Sequence, residues 1–106
     1  MWRISFFNGK VKAQTLDFPD GILANFLHIT DMIENFGPAL GKPFVASLGN
    51  GLFEIRSKGK EGIGRSLYCI GGSKELVILH SYIKKSQKAP LKELKLARKR
   101  SKQVRK

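Results

Sequence analysis

Residues 52–83 have the sequence LFEIRSKGKEGIGRSLYCIGGSKELVILHSYI, and this stretch decides the fold of the chain. It contains three runs rich in β-branched and aromatic residues, at 52–58, 65–70 and 75–83. Glycine-containing turns separate the runs, and strands joined by short turns pair as antiparallel neighbours. The sequence therefore predicts an antiparallel meander in the second half of the chain.

Side chains alternate between the two faces of a strand, so each run predicts which residues lie together. The first run has an apolar face and a charged face. The apolar face carries Phe53, Ile55 and Ser57, and the charged face carries Leu52, Glu54, Arg56 and Lys58. In the third run, alternation places His80 and Tyr82 on the same face as Leu76 and Ile78. The sequence leaves open whether Arg65 faces the same way.

The first half of the chain predicts one helix, and the segments before and after it show weaker patterns. Residues 2–7 are aromatic and predict a strand, whereas residues 10–17 fit either a second short strand or an irregular link. Residues 38–51 are rich in glycine, proline and small residues and predict a connection.

Residues 20–36 predict an amphipathic helix, because their apolar residues recur at spacings of three and four. Asp20 is expected to cap its N-terminus, since a short acidic side chain can accept from the free amides of the first turn. Gly37 followed by Pro38 is expected to end it.

A second helix is predicted to begin with Pro90 in its first turn, where a missing N–H is harmless. Leu91, Leu94 and Ala97 give it a modest apolar stripe among many lysines and arginines, and its end, from about residue 98, is expected to fray. Residues 1–106 should thus form one α+β domain. An N-terminal strand and helix would pack on a mostly antiparallel four-stranded sheet, with a basic helix at the C-terminus.

The charge distribution points to a polyanionic partner. All of the net charge of +12 lies in residues 51–106, because residues 1–50 hold equal numbers of acidic and basic residues. A basic half beside a neutral half favours nucleic-acid binding, and the alternative is a solvated surface with a basic tail. The single Cys69 excludes an internal disulfide. No run predicts a signal peptide or a membrane span, so a cytoplasmic protein without a membrane partner is expected.

Three segments together resemble a known family. They are LFEIR at 52–56, RSLY at 65–68 and LHSYIKKSQKAP at 79–90. This combination resembles the RelE/ParE superfamily of type II toxins, and within it the phage-derived, HigB-like branch. The chain departs from the usual pattern in having Tyr82 where phenylalanine is common, a glycine-rich loop before Arg65, and room for only one long helix in its first half.

The resemblance implies a RelE-like fold and cleavage of mRNA, usually on the ribosome, with translation inhibited as a result. It also implies neutralisation by a helix-turn-helix, HigA-like antitoxin. Cleavage by the RNA's own 2′-hydroxyl requires proton transfer and a charge to meet the phosphate, but no obligatory metal, so we expect no metal and no cofactor. The residues expected to form the catalytic set are Arg56, Arg65, His80, Tyr82, Lys84 and Lys85.

Individual roles follow from side-chain chemistry. Guanidinium groups match phosphate, clustered lysines stabilise developing negative charge, and His80 is the natural proton donor or acceptor. Lys84 and Lys85 need not both be catalytic. A further set is expected to bind RNA through charge or through stacking on bases. These residues are Lys58, Lys60, Tyr68 and Lys88, although Tyr68 also fits a place in the core.

Two other functions remain open on the same fold. One is a non-catalytic nucleic-acid-binding regulator, for which any lysine substitution would weaken binding uniformly. The other is a gyrase-targeting toxin, which would damage DNA without loss of mRNA. The HSYIKK segment at 80–85 ranks the endoribonuclease first.

Overall fold

The computed structural model describes residues 1–84 and 90–105. In chain order the elements are β1 (Arg3–Phe6), α1 (Gly9–Leu16), α2 (Asp20–Phe36), β2 (Val45–Gly49), β3 (Leu52–Gly59), β4 (Gly62–Ile70), β5 (Glu75–Ile83) and α3 (Leu91–Val104). The strands form one sheet in the order β1-β5-β4-β3-β2. β1 is parallel to β5, and the other neighbours are antiparallel. The predicted α+β fold and meander are confirmed, with five strands in the sheet rather than four.

The sheet carries helices on both faces. One face packs against α1 and α2 in a core centred on Val11, Ile22, Phe26, Ile29, Ile33, Ile55, Tyr68 and Ile78. The other face packs against α3 in a smaller core formed by Leu52, Leu67, Cys69, Val77, Leu79 and Ala97. Because α3 covers only part of this second face, polar side chains of the sheet lie beside its N-terminal end.

Helix α1 occupies most of the segment that fitted either a strand or a link. The side chain of Asn8 accepts a hydrogen bond from the Val11 amide at 2.9 Å and caps the helix. Val11 and Thr15, four residues apart, are buried against the sheet. Thr15 Oγ1 lies 2.7 Å from Ser81 Oγ of β5. The expectation of one helix in the first half was therefore wrong, because eight residues with two buried positions give a weak periodic signal.

Helix α2 ends at Phe36 as predicted, and Gly37 follows it with a positive φ of 86°. The predicted cap at Asp20 is wrong, since Asp20 is already the first helical residue. Instead, the Glu61 carboxylate from the β3–β4 turn accepts from the Gly21 amide at 3.0 Å. This hydrogen bond lowers the pKa of Glu61 below its usual value.

The glycines around the β3–β4 turn have a packing reason. A Cβ at Gly59 would lie 2.5 Å from the backbone nitrogen of Ile22, and one at Gly64 would lie 2.7 Å from Ile22 Cγ2. Both positions must therefore lack a side chain for the first turn of α2 to rest on the sheet. The glycine-rich loop is thus a docking surface for α2.

Three further predictions need correction. Residues 38–51 contain strand β2, in which Val45 pairs with Ile55, so this segment is not only a connection. Helix α3 continues to Val104, so fraying from residue 98 was wrong for 98–104. Pro90 is the residue before the first helical position. Within 1–84 and 90–105, none of the helices is long and apolar enough to cross a bilayer.

Candidate functional site

A β-bulge in β5 decides which face carries His80. Tyr68 of β4 pairs with Ile78, and Leu67 pairs with His80, so Leu79 lies opposite no residue of β4. One extra residue shifts the alternation of side chains by one position. Ile78 therefore packs on the α2 side, whereas His80 contacts α3.

The bulge brings four predicted site residues to one face. Arg65 pairs with Tyr82 in the β4–β5 ladder and with Arg56 in the β3–β4 ladder, and directly opposed residues point the same way. The rings of His80 and Tyr82 stack with centroids 5.8 Å apart. Their predicted shared face is confirmed, but it is the face of Val77 and Leu79 and not that of Leu76 and Ile78. We call Arg56, Arg65, His80 and Tyr82 the sheet-face cluster.

Glu54 lies beneath the two arginines of this cluster. Its carboxylate is 1% exposed and accepts from Arg56 Nε at 2.8 Å and from Arg65 Nη1 at 2.9 and 3.1 Å. Arg65 is itself only 9% exposed, whereas the Arg56 side chain is 33% exposed. Among the described residues, the buried Arg65 Nε has no hydrogen-bond partner. Glu54 therefore fixes both guanidinium groups and leaves Arg56 as the accessible one.

Sequence reasoning placed Glu54 on the charged face but gave it no role. The available signal was its position two residues before Arg56 on the same face of the strand. A carboxylate this deeply buried requires a paired cation, and Arg56 is such a cation on the same strand. The second partner, Arg65, is supplied only by the cross-strand register.

His80 is held by a second carboxylate. Its Nε2 lies 3.0 and 3.1 Å from the two oxygens of Glu93, in the first turn of α3. The residue is 7% exposed, and its buried Nδ1 has no partner within the described part of the chain. The His80 ring is therefore largely shielded from solvent, and Glu93, whose side chain is partly exposed, is the member of the pair that solvent reaches. Glu93 was missed, although it is the one acidic residue of an otherwise basic helix.

Tyr82 is half-buried beside these charges. Burial raises the pKa of its phenol, Arg65 lowers it, and Glu54 and Glu93 raise it further, for a net upward shift. The phenol is thus a neutral hydrogen-bond donor at neutral pH.

The lysines differ in their placement. Lys84 is half-buried just beyond β5, and its amide donates to the Ile63 carbonyl at 2.8 Å. Lys58 and Lys60 are exposed, and Lys58 lies on the strand face that carries Arg56. Lys85 and Lys88 lie outside the described residues, so their roles stay predictions.

Tyr68 is not placed to stack on a nucleic-acid base. It is 1% exposed and lies in the core beneath α2, where its ring stacks on Phe53 at 5.4 Å. Burial raises the pKa of its phenol to about 12. The expected RNA-binding role is therefore corrected to a core role, because Tyr68 lies on the face opposite the sheet-face cluster.

The arrangement combines an anion site with proton-transfer groups. Arg56 and the Tyr82 phenol can donate to an anion over the sheet, while the Glu93–His80 pair offers a carboxylate and an imidazole beside it. Within residues 1–84 and 90–105, no group of three or more His, Cys, Asp and Glu residues could hold a metal ion.

Comparisons with known proteins agree with the sequence resemblance. The family model described as Phage derived protein Gp49-like (DUF891) matches residues 14–102. A crystal structure of an archaeal RelE–RelB complex from Pyrococcus horikoshii OT3 contains a similar chain, with a TM-score of 0.57 and 22% sequence identity. The similarity covers 77% of this chain and 93% of that one. No curated protein matches the sequence significantly.

Proposed function

Because this chain belongs to the phage-derived Gp49-like family and has a RelE-like fold, we propose that it is the toxin of a type II toxin–antitoxin system. Its proposed activity is metal-independent cleavage of mRNA on the ribosome, which stops translation. The observation that carries the proposal is the convergence of Arg56, Arg65, His80 and Tyr82 on one face of the sheet.

The proposed division of labour follows from exposure and pairing. Arg56 and Lys84 meet the negative charge of the scissile phosphate, and Arg65 supports Arg56 through the shared Glu54 carboxylate. The Tyr82 phenol donates to a phosphate oxygen. Lys85 keeps its expected place in this set on the family resemblance alone.

Proton transfer is assigned to the Glu93–His80 pair. A carboxylate in contact with an imidazole can take the proton of the 2′-hydroxyl as that oxygen attacks the phosphorus. The pair then returns a proton to the 5′-oxygen as the bond between phosphorus and that oxygen breaks, which leaves a 2′,3′-cyclic phosphate. Glu93 is the more exposed partner, so it faces the substrate and His80 holds it in position. The expected acid–base role of His80 is thereby extended to the pair.

Primer extension on cellular mRNA after induction tests the activity. Wild type should produce discrete new 5′ ends, and Arg56→Gln should reduce their yield about 100-fold, as expected for loss of one transition-state donor. Lys12→Gln is the matched control, because it removes one charge from an exposed residue of α1 on the opposite side of the sheet. Intact messages in growth-arrested cells would refute the proposal.

A non-catalytic RNA-binding regulator is the second candidate, and one observation favours it. Glu54 pairs with both arginines and Glu93 with His80, so much of the cluster's charge is already matched within the protein. The same experiment separates the two functions, because a regulator would bind mRNA without creating new 5′ ends.

An antitoxin is the proposed protein partner. The similar archaeal chain was crystallised as a RelE–RelB complex, and a domain of net charge +12 suits an acidic or apolar segment laid over its basic surface. A helix-turn-helix protein encoded by the neighbouring reading frame should co-purify with this chain. If the complex is inactive while Lys84 and Tyr82 remain accessible to chemical modification, inhibition by masking is wrong.

A further inference from the structure

A second basic site lies at the far end of α3 from the sheet-face cluster. A cavity of about 560 Å³ opens between this end of the helix and the β2–β3 turn. Its lining residues are Asn50, Leu52, Arg98, Ser101, Lys102 and Arg105. Of the proposed catalytic residues that the structure describes, none lines this cavity.

The cavity concentrates unmatched positive charge. Arg98, Lys102 and Arg105 are spaced by four and three residues, so all three project from one side of α3. None of them takes part in an ion pair with a carboxylate of residues 1–84 or 90–105. This distinguishes the cavity from the sheet-face cluster, where Glu54 and Glu93 match the charges.

The two arginines of the cavity are fixed by backbone carbonyls of the turn. Arg98 donates to the Leu48 oxygen at 3.1 Å and to the Gly49 oxygen at 3.3 Å. Arg105 Nη1 donates to the Asn50 oxygen at 3.1 Å. A guanidinium has five N–H donors, so both groups keep donors for a ligand.

The turn is also shaped for this approach. Gly51 has a φ of 79°, and a Cβ there would collide with Arg105 Nη1. Glycine suits this φ, and the hydrogen bonds of Arg98 and Arg105 to the carbonyls of the turn hold the two guanidinium groups at the cavity before any ligand binds. Such pre-organisation lowers the ordering cost of binding.

We infer that this cavity binds a backbone phosphate of RNA. The inference rests on the proposed function, for which it supplies a second contact with the substrate strand. Two arginines and a lysine around a concave site match a phosphate group, which accepts bidentate hydrogen bonds from guanidinium. Lys102 is nine residues beyond Glu93 along α3, which is about 13.5 Å along the helix axis and half a turn around it, so a strand that meets both sites crosses over α3.

The test compares two substitutions on the same helix. Lys102→Gln removes an exposed cation of the cavity, and Lys99→Gln removes an exposed cation that does not line it. Binding of a labelled, fully 2′-O-methylated single-stranded RNA is followed by fluorescence anisotropy at several salt concentrations. This probe lacks the free 2′-hydroxyl, so binding is measured without cleavage.

Lys102→Gln should reduce the magnitude of the negative slope of log affinity against log salt by about 0.7. This change corresponds to about eight-fold weaker binding near 50 mM salt. Lys99→Gln should leave the slope nearly unchanged. Equal slopes for the two variants would overturn the inference, because the cavity would then act only as general surface charge.

The same preparations separate this inference from the proposed function. If unmodified RNA and ribosome-bound mRNA stay intact while the slopes differ as expected, the endoribonuclease proposal fails and the phosphate site stands. If mRNA is cleaved at discrete sites while the two slopes are equal, the phosphate site fails and the activity stands.

Discussion

Replacing Glu54 by glutamine tests whether a buried carboxylate holds the two arginines of the sheet-face cluster. The side chain is 1% exposed and accepts three hydrogen bonds from Arg56 and Arg65. Glutamine keeps the shape but removes the charge, so Arg65, which is 9% exposed, becomes a buried cation without a counter-ion. Removing one partner of a buried pair destabilises a protein by about 3–5 kcal/mol, and the retained amide oxygen places the expected loss near 3 kcal/mol.

Urea unfolding at neutral pH, followed by circular dichroism and by the fluorescence of the single Trp2, measures this loss. With a urea m-value of about 1.5 kcal/mol per M, the midpoint should fall by about 2 M. Glu75→Gln is the matched control, because its carboxylate accepts from the Ser5 hydroxyl at 3.1 Å in a half-buried site. It should lose about 0.5–1.5 kcal/mol.

A double-mutant cycle with Arg65→Gln isolates the pair itself. The double variant should be less destabilised than the sum of the single variants, with a coupling free energy of about 2 kcal/mol. A Glu54→Gln loss no larger than that of Glu75→Gln, or a coupling below about 0.5 kcal/mol, refutes the reasoning. Either result would show that the Arg65 guanidinium contributes little to holding the carboxylate.

Three further substitutions test how the fold positions the cluster. Arg100→Met removes the 2.7 Å hydrogen bond from Arg100 Nη1 to the carbonyl of the bulge residue Leu79, and should reduce the free energy of unfolding by about 2 kcal/mol; an unchanged urea midpoint would contradict it. Gly64→Ala places a methyl 2.7 Å from Ile22 Cγ2 and should reduce the free energy of unfolding by about 1–3 kcal/mol in the same assay. Gly9→Ala is its control and should show no such loss, because a Cβ at Gly9 meets nothing within 4 Å. Glu61→Ala should lower the Tm at neutral pH. Because folding lowers the pKa of Glu61, the stability that this carboxylate contributes is present above the unfolded pKa of 4.5 and is lost as the pH falls below that value. The Tm difference between Glu61→Ala and wild type should therefore narrow at acidic pH. A difference that stays constant with pH would argue against the cap.

Local patterns in the sequence predicted the main elements. The apolar spacing of residues 20–36 predicted α2 to within one residue of its observed start, because a long helix with one buried face repeats its signal over several turns. The three runs in 52–83 predicted β3, β4 and β5 for the same reason, since alternation and glycine turns are local properties. Strand β2 and helix α1 were missed because each is short and is stabilised largely by its neighbours.

The composition of the site was also accessible from the sequence. Arg56, Arg65, His80 and Tyr82 were selected from residue chemistry and family resemblance, and the structure brings them to one face. The sequence places Glu54 beside Arg56, but it does not show the contacts of Glu54 with Arg65 and of Glu93 with His80, because the first crosses a ladder and the second comes from a separate helix. Such contacts depend on register and packing, which leave no periodic trace in the chain.

The sequence by itself determined that residues 52–83 form a three-stranded meander, that basic residues concentrate in this half of the chain, and that His80 and Tyr82 share a face. Only the tertiary structure decided which face that is. Alternation is exact within an unbroken strand, but the unpaired Leu79 shifts it by one position. The bulge is defined by the pairing of β5 with β4 on both sides of the extra residue, so the site depends on a long-range pairing that no local pattern encodes.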